Sequence, residues 1–279
     1  MENSKIVLSI AGSDSGGGAG VQADIKTIAA CGCFACTAIT AVTAQNTVEV
    51  REIHPVPLSV LRSQITAVLD DMGADAVKIG MLYNPPNIEL VAELLRKYGV
   101  KNIVLDPVMI STSGTPLLQK KSSEALIKLM LPLAEIITPN IPEAEFLLQK
   151  KINPDTPEKY VEELAGLYNT SVLLKGGHFS GPYAKDYLFN INTGKVLVIS
   201  QLRINTKHTH GTGCTLSSAI ASFLAQGFQL EQAVQKAKAY ISSAIASSQK
   251  YKIGKGAVPL NHFPEIKTEK TDHEASLCK

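Results

Sequence analysis

The 279-residue chain contains no tryptophan, and aromatic side chains make up only 5% of it. Nor is there an excess of positive charge: 27 Lys and Arg stand against 25 Asp and Glu, a formal net charge of +2, and no stretch gathers the cations into a patch. That balance argues against a nucleic-acid partner, because phosphate backbones are held by clustered cations. No apolar run approaches the ~18 residues a membrane-spanning helix requires, so no membrane association is expected. The first residues, Met1 to Lys5, lead straight into an apolar strand and then a polar glycine loop, without a signal-peptide cleavage pattern, and a cytoplasmic protein is expected. Internal repeats and sharp breaks in composition are missing as well. With 45% apolar residues, the length fits one large α/β domain over residues 1–264, followed by a polar, disordered tail over residues 265–279.

Five cysteines are present, three of them close together as Cys31, Cys33 and Cys36. A structural zinc takes a second Cys or Cys/His pair farther along the chain, and neither Cys214 nor Cys278 supplies one. An odd count in a chain without a leader also argues against a disulfide framework. The trio is therefore read as small buried thiols where a first helix gives way to a second strand.

Short β-type runs alternate with helical patterns, the signature of a mostly parallel sheet covered on both faces. Strands are predicted at residues 6–10, 35–42, 76–79, 102–105, 135–137 and 171–174. Amphipathic helices are predicted at 58–71 and 88–98. After Lys175 the pattern changes: two β-rich runs, 186–191 and 195–204, flank Asn192, Thr193 and Gly194, which predicts a hairpin and an antiparallel extension of the sheet. Helices at 213–226 and 230–248 close the domain.

Neither G-x-x-x-x-G-K-[ST] nor a correctly spaced G-x-G-x-x-G occurs, which excludes a standard P-loop and a standard dinucleotide loop. Ligands of an open parallel sheet bind beyond the carboxyl ends of its strands, so the polar residues placed there are the candidates. The richest stretch is His210-Gly211-Thr212-Gly213-Cys214-Thr215, a glycine turn running into an apolar helix. The first N–H groups of such a helix lack intrahelical acceptors and favour an anion, and the glycines allow close approach. The same field favours the thiolate of Cys214, which could then accept a proton. A second glycine loop, residues 12–20, follows the first strand and is read as a flexible cover over a small-molecule pocket. Asp106 follows another strand. Asn140 and Glu143 follow the next, where they could form a helix-capping pair or, with Asp106, supply carboxylates to magnesium. Lys175 ends a further strand, either as a point charge for phosphate or as a strand cap.

Taken together, these segments resemble a known family. Residues 11–27, Thr43-Ala44-Gln45-Asn46, Lys78-Ile79-Gly80-Met81-Leu82, Leu105-Asp106-Pro107-Val108-Met109, Thr138-Pro139-Asn140 to Glu143, Lys175-Gly176-Gly177-His178 and residues 209–215 resemble, in order, the motifs of the hydroxymethylpyrimidine and phosphomethylpyrimidine kinases, a branch of the ribokinase-like superfamily. The likeness spans about residues 5–262. It implies a three-layer αβα sandwich with a mostly parallel central sheet and a small antiparallel extension. It also implies ATP-dependent phosphorylation of 4-amino-5-hydroxymethyl-2-methylpyrimidine and then of its monophosphate, for thiamine synthesis.

The resemblance assigns roles as well. Cys214 becomes the base, where sugar kinases of the superfamily carry aspartate, and it acts with Gly211, Thr212, Gly213 and Lys175. Gly12, Ala19, Met81 and Val108 line the substrate pocket, and Gln45 reads the amino group and ring nitrogen of an aminopyrimidine through its paired donor and acceptor. Asn140, Lys175, Thr209 and Gly213 meet ATP, Glu143 and Asp106 hold Mg2+, and the protein is a homodimer. Asp24 and Lys26 are assigned to packing or helix electrostatics. Pyridoxal or pyridoxine kinase activity, or a non-catalytic ligand-binding role, stands as the alternative.

Overall fold

Apolar β-branched residues fill short strands that must be covered on both sides, and the chain meets that need by alternating strand with helix. The computed structural model describes residues 4–109, 120–206, 209–250 and 252–264. In chain order the elements are β1 (Ile6–Asp14), α1 (Gly20–Ala30), β2 (Phe34–Gln45), β3 (Val50–Pro55), α2 (Leu58–Asp71), β4 (Ala76–Ile79), α3 (Pro85–Lys97), β5 (Ile103–Leu105), α4 (Lys120–Leu129), β6 (Ile136–Ile137), α5 (Ile141–Leu148), α6 (Pro157–Tyr168), β7 (Ser171–Lys175), β8 (Tyr183–Asn190), β9 (Lys195–Leu202), α7 (Thr212–Ala225) and α8 (Leu230–Ser248). Among the described residues the strands form one sheet in the order β3-β2-β1-β4-β5-β6-β7-β8-β9. β2, β1, β4, β5, β6 and β7 are parallel, and β3, β8 and β9 join through antiparallel pairings.

Successive strand residues point to opposite faces, so each strand serves two cores. Leu8, Val77, Leu105, Ile137 and Val172 meet α2 to α6 on one side. Val7, Ala76, Val104, Ile136 and Leu173 meet α1, α7 and α8 on the other. The result is the expected three-layer αβα sandwich. β1 pairs with β2 on one side and β4 on the other, so the chain leaves β1 in opposite directions and opens a crevice at the strands' carboxyl ends.

Several expectations need correction. The sheet has antiparallel additions at both edges, not one: besides the hairpin β8–β9 there is β3, which carries no apolar alternation because it is an exposed edge strand along nearly its whole length. β1 runs on through Ser13 and Asp14, which keep pairing with β2 beyond an irregularity after Ala11. The cysteine trio is split by the sheet. Cys36 packs in the core under α2 and α3, while Cys33 and Cys31 pack in the core under α7 and α8. The tail at 265–279, with Cys278, lies outside the described residues. No helix among the described residues is long and apolar enough to cross a membrane.

Candidate active site

A cavity of about 840 Å3 opens at the carboxyl ends of the parallel strands, a volume suited to a small organic ligand. It brings together Gly12, Ala19, Gln45, Met81 and Val108 with Asp106, Asn140, Glu143, Lys175, Thr209 and residues 211–214. Every site residue expected from the sequence therefore borders one space. Ile204, Ile241 and Ile245 add an apolar wall from the region of β9 and α8.

The start of α7 is shaped by two glycines. Gly211, the N-cap, has φ of 82°, and a Cβ there would lie 1.8 Å from the Gly18 carbonyl oxygen, so no other residue fits without moving a loop. A Cβ on Gly213 would lie 3.0 Å from Asp106 Oδ2 and 3.4 Å from Lys175 Nζ, so the bare backbone brings the helix start against the charged cluster. Thr209 supports this turn, its carbonyl accepting from the backbone and the hydroxyl of Thr212.

Within that cluster Lys175 Nζ donates to Asp106 Oδ1 at 2.8 Å and lies 4.0 Å from Glu143 Oε2. Thr138 Oγ1 also donates to Asp106 Oδ1. The capping reading of Asn140 and Glu143 is realised in full: Asn140 Oδ1 accepts from the Glu143 amide, and Glu143 Oε2 accepts from the Asn140 amide. Yet the same Glu143 carboxylate faces the cavity. Burial pushes its pKa up to about 7, with the Asp106 charge adding to the rise and Lys175 opposing it. For Lys175, burial works against the ammonium, but Asp106 and Glu143 outweigh it and the pKa is raised. Asp106 and Glu143 thus present two carboxyl groups beside one ammonium. That donor set fits a magnesium ion that completes its shell with water and phosphate oxygens.

The expected effect of the helix start on Cys214 is not what the site produces. Cys214 is the third residue of α7 and borders the cavity, but burial pushes its thiol up, and the charges of Asp24 and Asp106 add to the rise. The Lys78 ammonium and the Gly20 amide pull the other way without prevailing. Desolvation outweighs the dipole because the field of a helix end is a fractional charge, whereas burial acts on a whole one.

Lys78 is a site residue whose partner the sequence did not reveal. Its side chain is fully buried in β4 and both oxygens of the equally buried Asp24 accept from Nζ at 2.8 Å. Ser9 and Ser218 also donate to Asp24, and Ser218 lies one turn beyond Cys214 on α7. Asp24, assigned from the sequence to packing or helix electrostatics, is the counter-charge of a buried ion pair. The available signal was a lysine inside a four-residue apolar strand, a charge that requires a buried counter-charge.

The first glycine loop borders the cavity, as its place after β1 suggested, and is braced by its own hydrogen bonds. The Asp14 carboxylate accepts from the amides of Gly16, Gly18 and Ala19, and Lys26 Nζ donates to the Gly17 carbonyl. Ser15 ties the loop to the Gln45 backbone in both directions, and the Gln45 side chain accepts from Thr43 Oγ1. Across the cavity, the Arg203 guanidinium donates to the carbonyls of Gly177, Phe179 and Gly181, holding the loop that follows Lys175.

Comparison with known proteins places this architecture. A family model described as phosphomethylpyrimidine kinase matches residues 14–261. The hydroxymethylpyrimidine/phosphomethylpyrimidine kinase of Haemophilus influenzae is 46% identical over 267 residues, covering 94% of this chain and 98% of that protein. The crystal structure of phosphomethylpyrimidine kinase from Clostridium difficile matches with a TM-score of 0.77 and 45% identity, over 86% of this chain and 99% of the other. The pyridoxal kinase of Staphylococcus aureus in complex with AMP-PCP and pyridoxal matches with a TM-score of 0.85 at 29% identity, over 94% and 95%. Fold and site together define a small-molecule kinase of the ribokinase-like class. Within it, the chain belongs to the phosphomethylpyrimidine kinase family.

Proposed function

We propose that this kinase transfers the γ-phosphoryl group of ATP to the hydroxymethyl group of 4-amino-5-hydroxymethyl-2-methylpyrimidine, and then phosphorylates the monophosphate to the diphosphate used in thiamine synthesis. The observation that carries this reading is the meeting, in one cavity, of the pocket around Gln45 with Lys175 and the amides at the start of α7. Phosphoryl transfer calls for positioning and charge stabilisation more than covalent chemistry, and this arrangement offers both.

Gly12, Ala19, Met81 and Val108 enclose the ring, and the Gln45 amide pairs with its amino group and adjacent nitrogen. The amides of Gly211, Thr212 and Gly213 receive the moving phosphoryl group with Lys175, while Asn140 and Thr209 contact the nucleotide. Cys214, as thiolate, takes the hydroxyl proton while the alcohol oxygen bonds to phosphorus and the bond from the γ-phosphorus to the bridging oxygen breaks, releasing ADP. Magnesium held by Asp106 and Glu143 would neutralise phosphate charge. Residues 1–264 act as one catalytic domain. We assign a homodimer, supported by the exposed apolar side chains Val42, Val48, Val50 and Ile53 of β2, β3 and their connection.

The likeness to pyridoxal kinase makes pyridoxal the second acceptor to consider. One experiment separates the readings. The protein is given ATP and magnesium with the pyrimidine alcohol, its monophosphate and pyridoxal in competition, and products are weighed by mass spectrometry. Pyrimidine monophosphate and diphosphate are expected. Pyridoxal phosphate as main product would establish the second reading, and no phosphorylated product would reject both.

A further inference from the structure

We propose that Asp14 and His210 form a positioning clasp for phosphoryl transfer, through which the loop walling the pyrimidine pocket fixes the loop presenting the phosphoryl-binding amides. Asp14 ends β1 and is 3% exposed. Its Oδ1 accepts from the Gly16 amide at 2.8 Å. Its Oδ2 accepts from Gly18 at 3.0 Å, from Ala19 at 2.9 Å and from His210 Nε2 at 3.2 Å. One oxygen therefore holds two amides of the pocket loop and a side chain 196 residues away. Ala19 borders the pocket, and His210 directly precedes Gly211, the N-cap of α7.

Steric contact at the same place binds the loops further. A Cβ on Gly18 would lie 2.4 Å from His210 Cδ2, and one on Gly211 would lie 1.8 Å from the Gly18 carbonyl oxygen. The two loops thus lie in close contact, with no room for a side chain at either glycine. Burial works against the Asp14 carboxylate, yet the bonds from His210, Gly16 and Ala19 outweigh it and hold its pKa below the usual carboxylate range. The clasp is thus an ionised acceptor at neutral pH. Asp14 can organise its own loop without help, so the bond to His210 is the element that makes one unit of two loops.

A displacement of about 1 Å in a reacting geometry can cost ~10²-fold in rate, so the clasp acts on turnover before it acts on binding. The inference rests on the kinase reading, and its test uses two independent readouts. Four variants are compared with wild type: His210→Ala, His210→Asn, His210→Gln and Asp14→Asn/His210→Ala. Glutamine can bring an amide nitrogen to the place of Nε2, whereas asparagine is too short. His210→Ala and His210→Asn should lower kcat by about 10–100-fold with KM for ATP moved less than about threefold, and His210→Gln should recover most of the loss. The double variant should fall below His210→Ala, because an amide in place of the Asp14 carboxylate sets an N–H donor against loop amides that now donate to it, whereas His210→Ala removes only the bond between the loops. Amide hydrogen exchange should accelerate in residues 15–19 and 209–213 together in His210→Ala. Wild-type kcat in His210→Ala, equal activity of the Asn and Gln variants, or faster exchange confined to residues 209–213 would each overturn the clasp. Should wild type transfer no phosphoryl group at all, the kinase reading fails, and hydrogen exchange still decides whether the loops are joined.

Discussion

Cys214 sits among opposing influences. The helix start, the Lys78 ammonium and the Gly20 amide favour its thiolate, while burial and two carboxylates disfavour it and win. In the proposed role of base, a thiol raised in this way should be limited by the scarcity of its thiolate at neutral pH. The alcohol needs its proton removed, but the monophosphate acceptor of the second step is already ionised, because a phosphate monoester loses its second proton near pH ~6. Cys214→Ala should therefore slow the first phosphorylation by ~10²–10⁴-fold and the second much less. In wild type the rate of the first step should keep rising with pH above the usual thiol value of ~8.5. Separate rate measurements with the alcohol and the monophosphate from pH 6 to 10 check both; equal losses in the two steps would remove Cys214 from the base role. The residue types here were legible in the sequence: lysine and carboxylates lie where strand ends were expected, and the glycines and thiol lie where a helix start was expected. What could not be read was partnership. Nothing in the spacing of Lys78 and Asp24, or of Asp14 and His210, announces that each pair meets, since sheet order brings them together.

At the scale of the element, α5 shows one side chain answering two demands. Glu143 closes the capping box that starts the helix and also faces Asp106 and Lys175 in the cavity. The sequence allowed either capping or magnesium binding; the fold realises the capping, and it leaves the carboxyl at the ligand crevice because a helix that begins just beyond a strand points its first turn there. The buried carboxyl, with its pKa at about 7 against an ordinary 4.5, holds its proton in the folded state over a range where the unfolded chain has lost it. Between those two values the folded protein binds more protons, so this group's contribution to stability falls as pH rises from about 4.5 to about 7 and levels off above. Glu143→Gln keeps the capping geometry and removes the titration. The variant should thus gain stability relative to wild type as pH rises through that window, while its magnesium requirement in the kinase assay increases. Urea unfolding at a series of pH values, with a magnesium titration beside it, checks the pair. A constant difference in stability would show that Glu143 is ionised throughout.

For the whole molecule, the parallel sheet was legible because its short strands are largely apolar and helices such as α2 and α3 carry an apolar face between them. β3 was not, since an exposed edge strand has no core to impose a period on it. The layers are also joined by a device no periodicity reveals. Asp24 of α1 accepts from Lys78 of β4, Ser9 of β1 and Ser218 of α7, so one buried carboxylate ties the central sheet to two helices of the same face, one helical turn from Cys214. Burial alone would drive the proton from Lys78, but the Asp24 charge outweighs it and holds the ammonium. Such a pair need not stabilise the fold more than an apolar pair would, but losing one member leaves an uncompensated charge in the core, at a cost of ~3–5 kcal/mol. Lys78→Met should lower unfolding stability by about that amount. Lys78→Met/Asp24→Asn should be more stable than Lys78→Met alone, since the amide carries no charge, and its oxygen can accept from one serine while its nitrogen donates to the hydroxyl oxygen of the other. Urea denaturation of the three variants, Asp24→Asn included, closes the cycle. Additive losses would mean that Lys78 and Asp24 contribute through separate packing, and that the carboxylate does not unite the layers.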